Sequence, residues 1–437
     1  MGTEVTTENP DVSKAKLDDL KAQKGRLGRL IGEAKKQGAS AESLIAELGG
    51  VSDQIKSIQK QLKQKLNAEK PESKWVPGQA SIPPAILDLE CKDSIIIESS
   101  ADARDGAIEQ YLERHPGASI WHQPVVTSFI STTYSHETRY FFALGEGGRV
   151  VGVLPVVQLN SRLFGNFLVS LPYFNYGGVL ADNPDIAGKL IEACNEWRDQ
   201  QGAEHLELRA CEDSGLGYQQ RTDKVTFWLP LPEHPDDLWN SFKPKLRAQV
   251  RRGEKEVSGL HVGGCELLDD FYHVFSNNMR DLGTPVYGKD FFRNLLQSLD
   301  GHAWLVVAKI DGKPAGCAFI TGFKGRMEIP WASTLRRYSH TGINMTMYWE
   351  ILKLAIARGY GLFDFGRCSR DAGTYRFKQQ WGAQPIDLFW DYVMPEGHEL
   401  PALNPDNPKF KLLIAVWQRL PLFVANFLGP HIVKDLP

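Results

Sequence analysis

Apolar residues recur mostly at intervals of three and four near the start of the chain. Leu17, Leu20, Leu27, Leu30, Ile31 and Ala34 form one run; Leu44, Ile45, Leu48, Val51, Ile55, Ile58 and Leu62 form a second. The spacing predicts two amphipathic helices. Between them "KQGAS" supplies Gly38 to break the first helix and Ser40 to cap the second. Ser43, not an acid or amide, stands three residues after Ser40, so a simple cap is expected without the reciprocal box. Gly49-Gly50 weakens the second helix. Two such helices with a short turn make an antiparallel hairpin over 13–67. Its cations outnumber its acids, as in a solvated coiled coil or a self-association arm.

Residues 68–84, "AEKPESKWVPGQASIPP", read as a linker rich in Pro and Ser. Beyond it the pattern alternates between strand and helix periods. Strands are predicted at 94–98, 139–144, 150–158, 166–171, 205–208 and 225–231, the last closing a first half, with helices at 102–115 and 185–201. A second half follows the same order. Helices start at Pro244 and span 269–282, 289–299 and 344–358; strands span 304–310, 313–323, 326–333, 363–365 and 388–393. The class is therefore α+β, with two similar units at 85–235 and 236–400. A tail at 401–437 is apolar and aromatic but broken by Arg419 and Pro421, and is expected to pack back on the globule or touch a membrane surface through 408–430.

Length fits two or three domains: 437 residues with a formal net charge of -3. That balance gives no general affinity for nucleic acid. Six scattered cysteines without a CxxC read as reduced thiols of a cytoplasmic protein. The N-terminus lacks an apolar secretion segment, and no stretch reaches the length of a membrane span.

Four stretches concentrate chemistry. "LPYFNYGGVL" carries Tyr173, Asn175 and Tyr176 before Gly177-Gly178, a stacking and hydrogen-bonding surface for a sugar or peptide, or a turn with packed aromatics. On the helix from Pro244, Arg247, Arg251 and Lys255 fall at i, i+4 and i+8. Like charges so spaced repel by roughly 0.2–0.5 kcal/mol per pair, which a bridging phosphate would relieve; a solvated face is the alternative. "MRDLGTPVYGKDFF" gives a rigid Gly-Thr-Pro corner beside Tyr287, a pocket wall or a plain turn. In "FDFGRCSRDAGTYRFKQQWG" a strand ends at Gly366 and delivers Arg367, Ser369, Tyr375 and Lys378 at the sheet end. Lys378 can steady a developing oxyanion or pair with Asp364. No GxSxG, HExxH or histidine pattern accompanies them.

These motifs, in this order over residues 86–437, resemble the FemABX-like aminoacyltransferases, in particular the branch associated with exosortase and exopolysaccharide loci. The resemblance implies two tandem GNAT-like domains behind the hairpin. It implies amide formation between an aminoacyl-tRNA and an amine of a peptidoglycan or exopolysaccharide precursor, with no metal or cofactor. By that resemblance Lys378, beside Tyr375, steadies the transition state, and Tyr173, Tyr176 and Arg247 hold the precursor. "RRYSHTGINM" lacks the full GNAT pyrophosphate loop, which argues against acyl-CoA as donor. The hairpin is similar to the tRNA-gripping arm of seryl-tRNA synthetases, which implies tRNA as a partner. An acyl-CoA-dependent exopolysaccharide acyltransferase and a non-catalytic scaffold remain as alternatives.

Overall fold

The predicted N-terminal helices form at Pro10–Lys36 and Glu42–Ala68. Leu17, Leu27, Val51 and Ile55 are buried where the two helices pack together, flanked by Leu20, Leu44, Leu48 and Ile58. Leu30 and Ile45, counted in the apolar repeat, are instead each 48% exposed. A narrow two-helix seam takes one residue per turn from each helix, so of the neighbours Leu30-Ile31 and Leu44-Ile45 one must face water. Gly49-Gly50 lies inside the second helix without breaking it. That helix starts at Glu42, two residues beyond the expected cap Ser40; Gly38 lies outside the described residues.

This computed structural model describes residues 10–37, 39–68, 75–91, 94–101, 103, 106–370, 372–395, 397, 398, 400 and 408–436. The chain divides into two units, Met1–Lys74 and Trp75–Pro437. The second unit contains two mixed sheets. In the first sheet the spatial order is Ile96–Ser100, Thr138–Leu144, Val150–Ser161, Gly165–Val169, Leu206–Ala210, Phe389–Val393 and Gln219–Arg221. In the second it is Cys368–Ser369, Lys224–Pro230, Leu362–Asp364, Arg326–Thr334, Lys313–Phe323, Ala303–Ile310 and Gly259–Gly263.

Each sheet is antiparallel except at one junction, and the two junctions match. Gly165–Val169 pairs in parallel with Leu206–Ala210 after a crossover through the helix Pro184–Gln200. Arg326–Thr334 pairs in parallel with Leu362–Asp364 after a crossover through Ile343–Ala357. This shared βαβ step is the repeat that the order of elements suggested. Two strands cross the division drawn at residue 235. Lys224–Pro230, read as closing the first half, pairs with Leu362–Asp364 in the second sheet. Phe389–Val393 returns to the first sheet and pairs with Leu206–Ala210.

Residues 150–159 form an unbroken buried run because both faces of that strand are covered. Val153, Val157 and Leu159 enter one apolar core. Val151, Leu154 and Val156 enter another, with Leu190 and Cys194 of the Pro184–Gln200 helix. The described end of the linker is docked: Ala80 N donates to Gln384 Oε1 at 3.0 Å, and Gln384 Nε2 donates to Gly78 O at 2.7 Å. The tail also packs back, through the helices Pro408–Trp417 and Leu422–Val433. Arg280 Nη1 donates to Leu420 O at 3.3 Å, and a Cβ on Gly429 would meet the backbone of Val286 at 2.8 Å. Among the described residues no helix is long and apolar enough to cross a membrane.

Candidate active site

The parallel pairing of Arg326–Thr334 with Leu362–Asp364 spans three register pairs and ends at Glu328 opposite Asp364. Beyond it the first strand continues to Thr334 while the second turns away at Gly366, so the sheet splays open there. Gly366 has φ 75°, and a Cβ on it would lie 3.2 Å from Ile329 O. Only glycine makes this turn against the neighbouring backbone without strain.

Both carboxylates at the splay are buried and held by the first half of the unit. Asp364 Oδ2 accepts from the Tyr176 hydroxyl at 2.5 Å, and Oδ1 accepts from Thr226 Oγ1 at 2.6 Å and Gly366 N at 2.8 Å. Glu328 Oε2 accepts from Trp121 Nε1 at 2.7 Å, and Oε1 from Asn175 Nδ2 at 3.4 Å. Burial, then the Asp364 carboxylate alongside, push the Glu328 carboxyl up to about 8. The "LPYFNYGG" and "FDFGRC" stretches, some 190 residues apart in sequence, thus meet in one hydrogen-bonded layer.

Lys378 sits on a short helix, Gly373–Gln379, that the residue pattern did not reveal. It is 6% exposed. Its Nζ donates to Gly366 O at 2.5 Å and to Arg367 O at 3.0 Å. The ion-pair reading is not what the structure shows, and the ammonium is more enclosed than the oxyanion reading expects. The ammonium makes no ion pair with Asp364, which accepts from Tyr176, Thr226 and Gly366 N, and it does not stand in an open cavity. It lies just under the loop that leaves the strand, with two of its three protons committed. Burial lowers its pKa to about 8, opposed by Cys368 and Asp364. Tyr375 packs edge-on against Phe227 with ring centroids 4.8 Å apart, and Phe377 packs against Tyr348 at 4.9 Å, so the helix is fixed by aromatic contacts.

The remaining sequence-selected residues separate into four groups. The Arg367 guanidinium lies 5.0 Å from the Trp390 ring centroid and acts electrostatically on Tyr287, and both Arg367 and Tyr287 are part-exposed. Ser369 is spent on structure, accepting from Lys224 Nζ at 2.9 Å. The tyrosine–glycine loop is also more internal than a sugar-facing surface would be. Tyr173 is 6% exposed and its hydroxyl donates to Lys434 O of the tail, while Tyr176 and Asn175 serve the two carboxylates. What that loop leaves open is backbone. Gly177 and Gly178 line a pocket of about 40 Å³ with His122, Trp228 and Arg326, walled by Ile82 and Pro83 of the docked linker. The Arg326 guanidinium lies 5.2 Å from the Tyr176 ring centroid and 5.3 Å from that of Trp228.

The basic helix Pro244–Glu256 is not part of this layer. Arg251 and Lys255 are exposed and Arg247 half-buried, with Arg251 over the Trp239 ring at 5.3 Å. Its inner face meets the start of Ile343–Ala357, where Gly342 has φ 87°. A Cβ on Gly253 would lie 2.4 Å from Gly342 O and 2.3 Å from Thr346 Oγ1, so the two backbones are in contact. Ile343 N is already bonded to Thr341 Oγ1 at 3.2 Å. The helix start that a pyrophosphate would occupy is therefore packed against protein.

Residues 240–379 match a family described as an acetyltransferase (GNAT) domain. A crystal structure of FemX is similar with a TM-score of 0.54 at 14% identity, covering 72% of this chain and 100% of that chain. A tandem GNAT protein from the clavulanic acid biosynthesis pathway aligns with a TM-score of 0.49 at 13% identity, covering 70% of this chain and 100% of that one. L-PGS from Bacillus licheniformis aligns at 0.44 and 15% identity, covering 76% and 98%. No curated protein sequence matches the chain. The likeness to FemX and the duplicated βαβ step describe one fold, two GNAT-like domains in tandem, preceded by a helical hairpin.

Proposed function

We propose that this protein is an N-acyltransferase that joins an activated acyl or aminoacyl group to an amine of a cell-envelope precursor, such as a peptidoglycan or exopolysaccharide intermediate. The observation that carries this reading is the splay at Glu328 and Asp364 with the Lys378 ammonium beneath the departing loop. A tetrahedral intermediate formed in the splay places its oxyanion toward Lys378, whose third proton is unspent. The amine's electron pair forms the new C–N bond, the bond from carbonyl carbon to the donor's oxygen or sulfur breaks, and the amine's proton leaves with the donor alcohol or thiol. Glycine-to-glycine packing at Gly253 and Gly342 favours an aminoacyl ester as donor over an acyl-CoA.

The accessory parts are assigned to the substrates. Arg247, Arg251 and Lys255 hold phosphates of the acceptor, and the hairpin holds tRNA. The helix Leu422–Val433 is apolar apart from Asn426 and His431, yet among the described residues only one face, with Ala425, Gly429 and Val433, is buried. Phe423 and Phe427 are 76% and 70% exposed. Residues 408–434 carry Lys409, Lys411, Arg419 and Lys434 and no acid, so the occupant we assign to the open face is an anionic bilayer surface.

The test is transfer by purified protein given aminoacyl-tRNA or acetyl-CoA separately, with a nucleotide-linked muropeptide as acceptor. Lys378→Met is expected to lower turnover by roughly 10²–10³-fold, the scale for losing one oxyanion donor. Wild-type turnover in a folded Lys378→Met protein would remove Lys378 from the chemistry. Turnover with acetyl-CoA alone would overturn the choice of donor.

A further inference from the structure

Beside the Lys378 loop lies a second cationic group that the transfer mechanism does not use. Arg209 and Trp390 are directly opposite each other on paired strands of the first sheet. The Arg209 guanidinium lies 4.3 Å from the Trp390 ring centroid. Arg367, just past the end of the Leu362–Asp364 strand, places its guanidinium 5.0 Å from the same centroid. One indole therefore carries two guanidinium groups, one from each sheet.

The charges in this group do not balance. Arg209 is fully buried; its Nε donates to Glu207 Oε1 at 2.7 Å and its Nη1 to Phe174 O at 3.0 Å. Its Nη2 lies 2.7 Å from the same Glu207 oxygen but at an angle that makes no hydrogen bond. The other Glu207 oxygen accepts from the Tyr392 hydroxyl at 2.7 Å. Glu207 thus answers Arg209 and has nothing left for Arg367. Among the described residues the Arg367 side chain makes no hydrogen bond and no ion pair, and Trp390 Nε1 is buried without an acceptor. Burial and then Arg209 push the Arg367 guanidinium down to about 10. The unsatisfied groups here, Arg209 Nη2, Trp390 Nε1 and the Arg367 guanidinium, are all donors, and Glu207 and Asp223 act on Arg367 only from beyond ion-pair distance. A part-buried guanidinium with no carboxylate paired to it, set beside a second guanidinium and an unsatisfied indole N–H, is a ready seat for an anion. Arg367, Trp390 and the neighbouring Tyr287 are each part-exposed, which leaves a way in.

We propose that Arg367, Trp390 and Arg209 form a subsite for an anionic oxygen group, a phosphate or a carboxylate, carried by a substrate. A planar guanidinium takes either group through two parallel N–H bonds, and the indole fixes its plane. Arg367 also supplies one of the two carbonyls that hold the Lys378 ammonium. An anion seated on its side chain would steady the loop that positions that ammonium. The use of the subsite by a substrate rests on the transfer reading; the binding of an anion does not.

The experiment titrates the full-length protein with inorganic phosphate and, separately, with acetate at constant ionic strength, read by tryptophan fluorescence. Neither donor nor acceptor is present, so the outcome is independent of whether the protein transfers acyl groups. A saturable change is expected with one probe, which identifies the group as phosphate or carboxylate. Trp390→Phe is expected to remove the signal. Arg367→Gln, with its fold checked by circular dichroism, is expected to weaken binding at least tenfold; Arg367→Lys, keeping charge but not the fork, is expected to fall between. Equal saturation in wild type and Arg367→Gln, or only a linear salt response to both probes, would overturn the subsite.

Discussion

The hydroxyl of Tyr176 donates a 2.5 Å hydrogen bond to Oδ2 of Asp364, and this one contact ties the glycine-rich loop of the first domain to the strand end that carries the candidate site. Asp364 is held by Tyr176, Thr226 and Gly366 N, while the Lys378 ammonium is held by the carbonyls of Gly366 and Arg367.

Tyr176→Phe removes one donor from a fully buried carboxylate and leaves Trp228 Nε1 without the hydroxyl it donates to at 3.2 Å. Losing such a partner costs about 1–3 kcal/mol. Urea unfolding should show a drop of that size; an unchanged midpoint would mean that the bond contributes nothing to stability.

Burial of Lys378 gives a pH dependence with a defined sign. Its pKa falls from 10.5 in the open chain to about 8 in the fold. Between those values the unfolded chain holds a proton that the native state has released. The contribution of Lys378 to stability therefore rises with pH from about 8 to 10.5 and is least favourable below 8. Lys378→Met should lack this rise when unfolding is compared at pH 7 and 10. Activity should run the other way, falling above pH 8 as the ammonium is lost. A turnover rate that keeps climbing through pH 9 would contradict the oxyanion role.

The exposed face of the Leu422–Val433 helix gives a test on vesicles. Phe423→Asp with Phe427→Asp should leave the melting temperature nearly unchanged, since both rings already face water. It should abolish co-sedimentation with phosphatidylglycerol vesicles, which wild type should bind better than phosphatidylcholine vesicles. If wild type ignores both lipids and sediments as a dimer that the double variant disperses, the face belongs to a second copy.

Removal of residues 1–67 should weaken aminoacyl-tRNA binding in a gel-shift titration, increasingly so at low salt, where lysine and arginine contacts to phosphate are strongest. Equal affinity with and without the hairpin would leave self-association as its role.

Much of this architecture could be read from residue patterns, and the exceptions have physical causes. The strand Lys313–Phe323 emerges as a long run, uncharged beyond Lys313, between two glycine turns, and the helix Leu268–Leu282 almost residue for residue from a long, clean helical period. The helix Gly373–Gln379 was missed because seven residues span about two turns, too few for a period. Arg209 and Glu328 were missed because each lies inside a strand whose neighbours are apolar. A signal was there: Glu207 and Arg209 stand two apart, on one face of a strand whose other residues are core-like, so that face had to bury a charged pair. The path of Phe389–Val393 into the first sheet had no local signature, since strand partners some 180 residues away leave no trace in spacing.

That returning strand sets an order of events during synthesis. Until residue 393 has left the ribosome, Leu206–Ala210 borders an open lane at the edge of the first sheet, and Gln219–Arg221, which pairs only with the returning strand, has no strand to join. A fragment ending near residue 235 would carry that open lane permanently and would invite pairing with foreign strands. The two domains, although each repeats the other's plan, are thus bound to mature together.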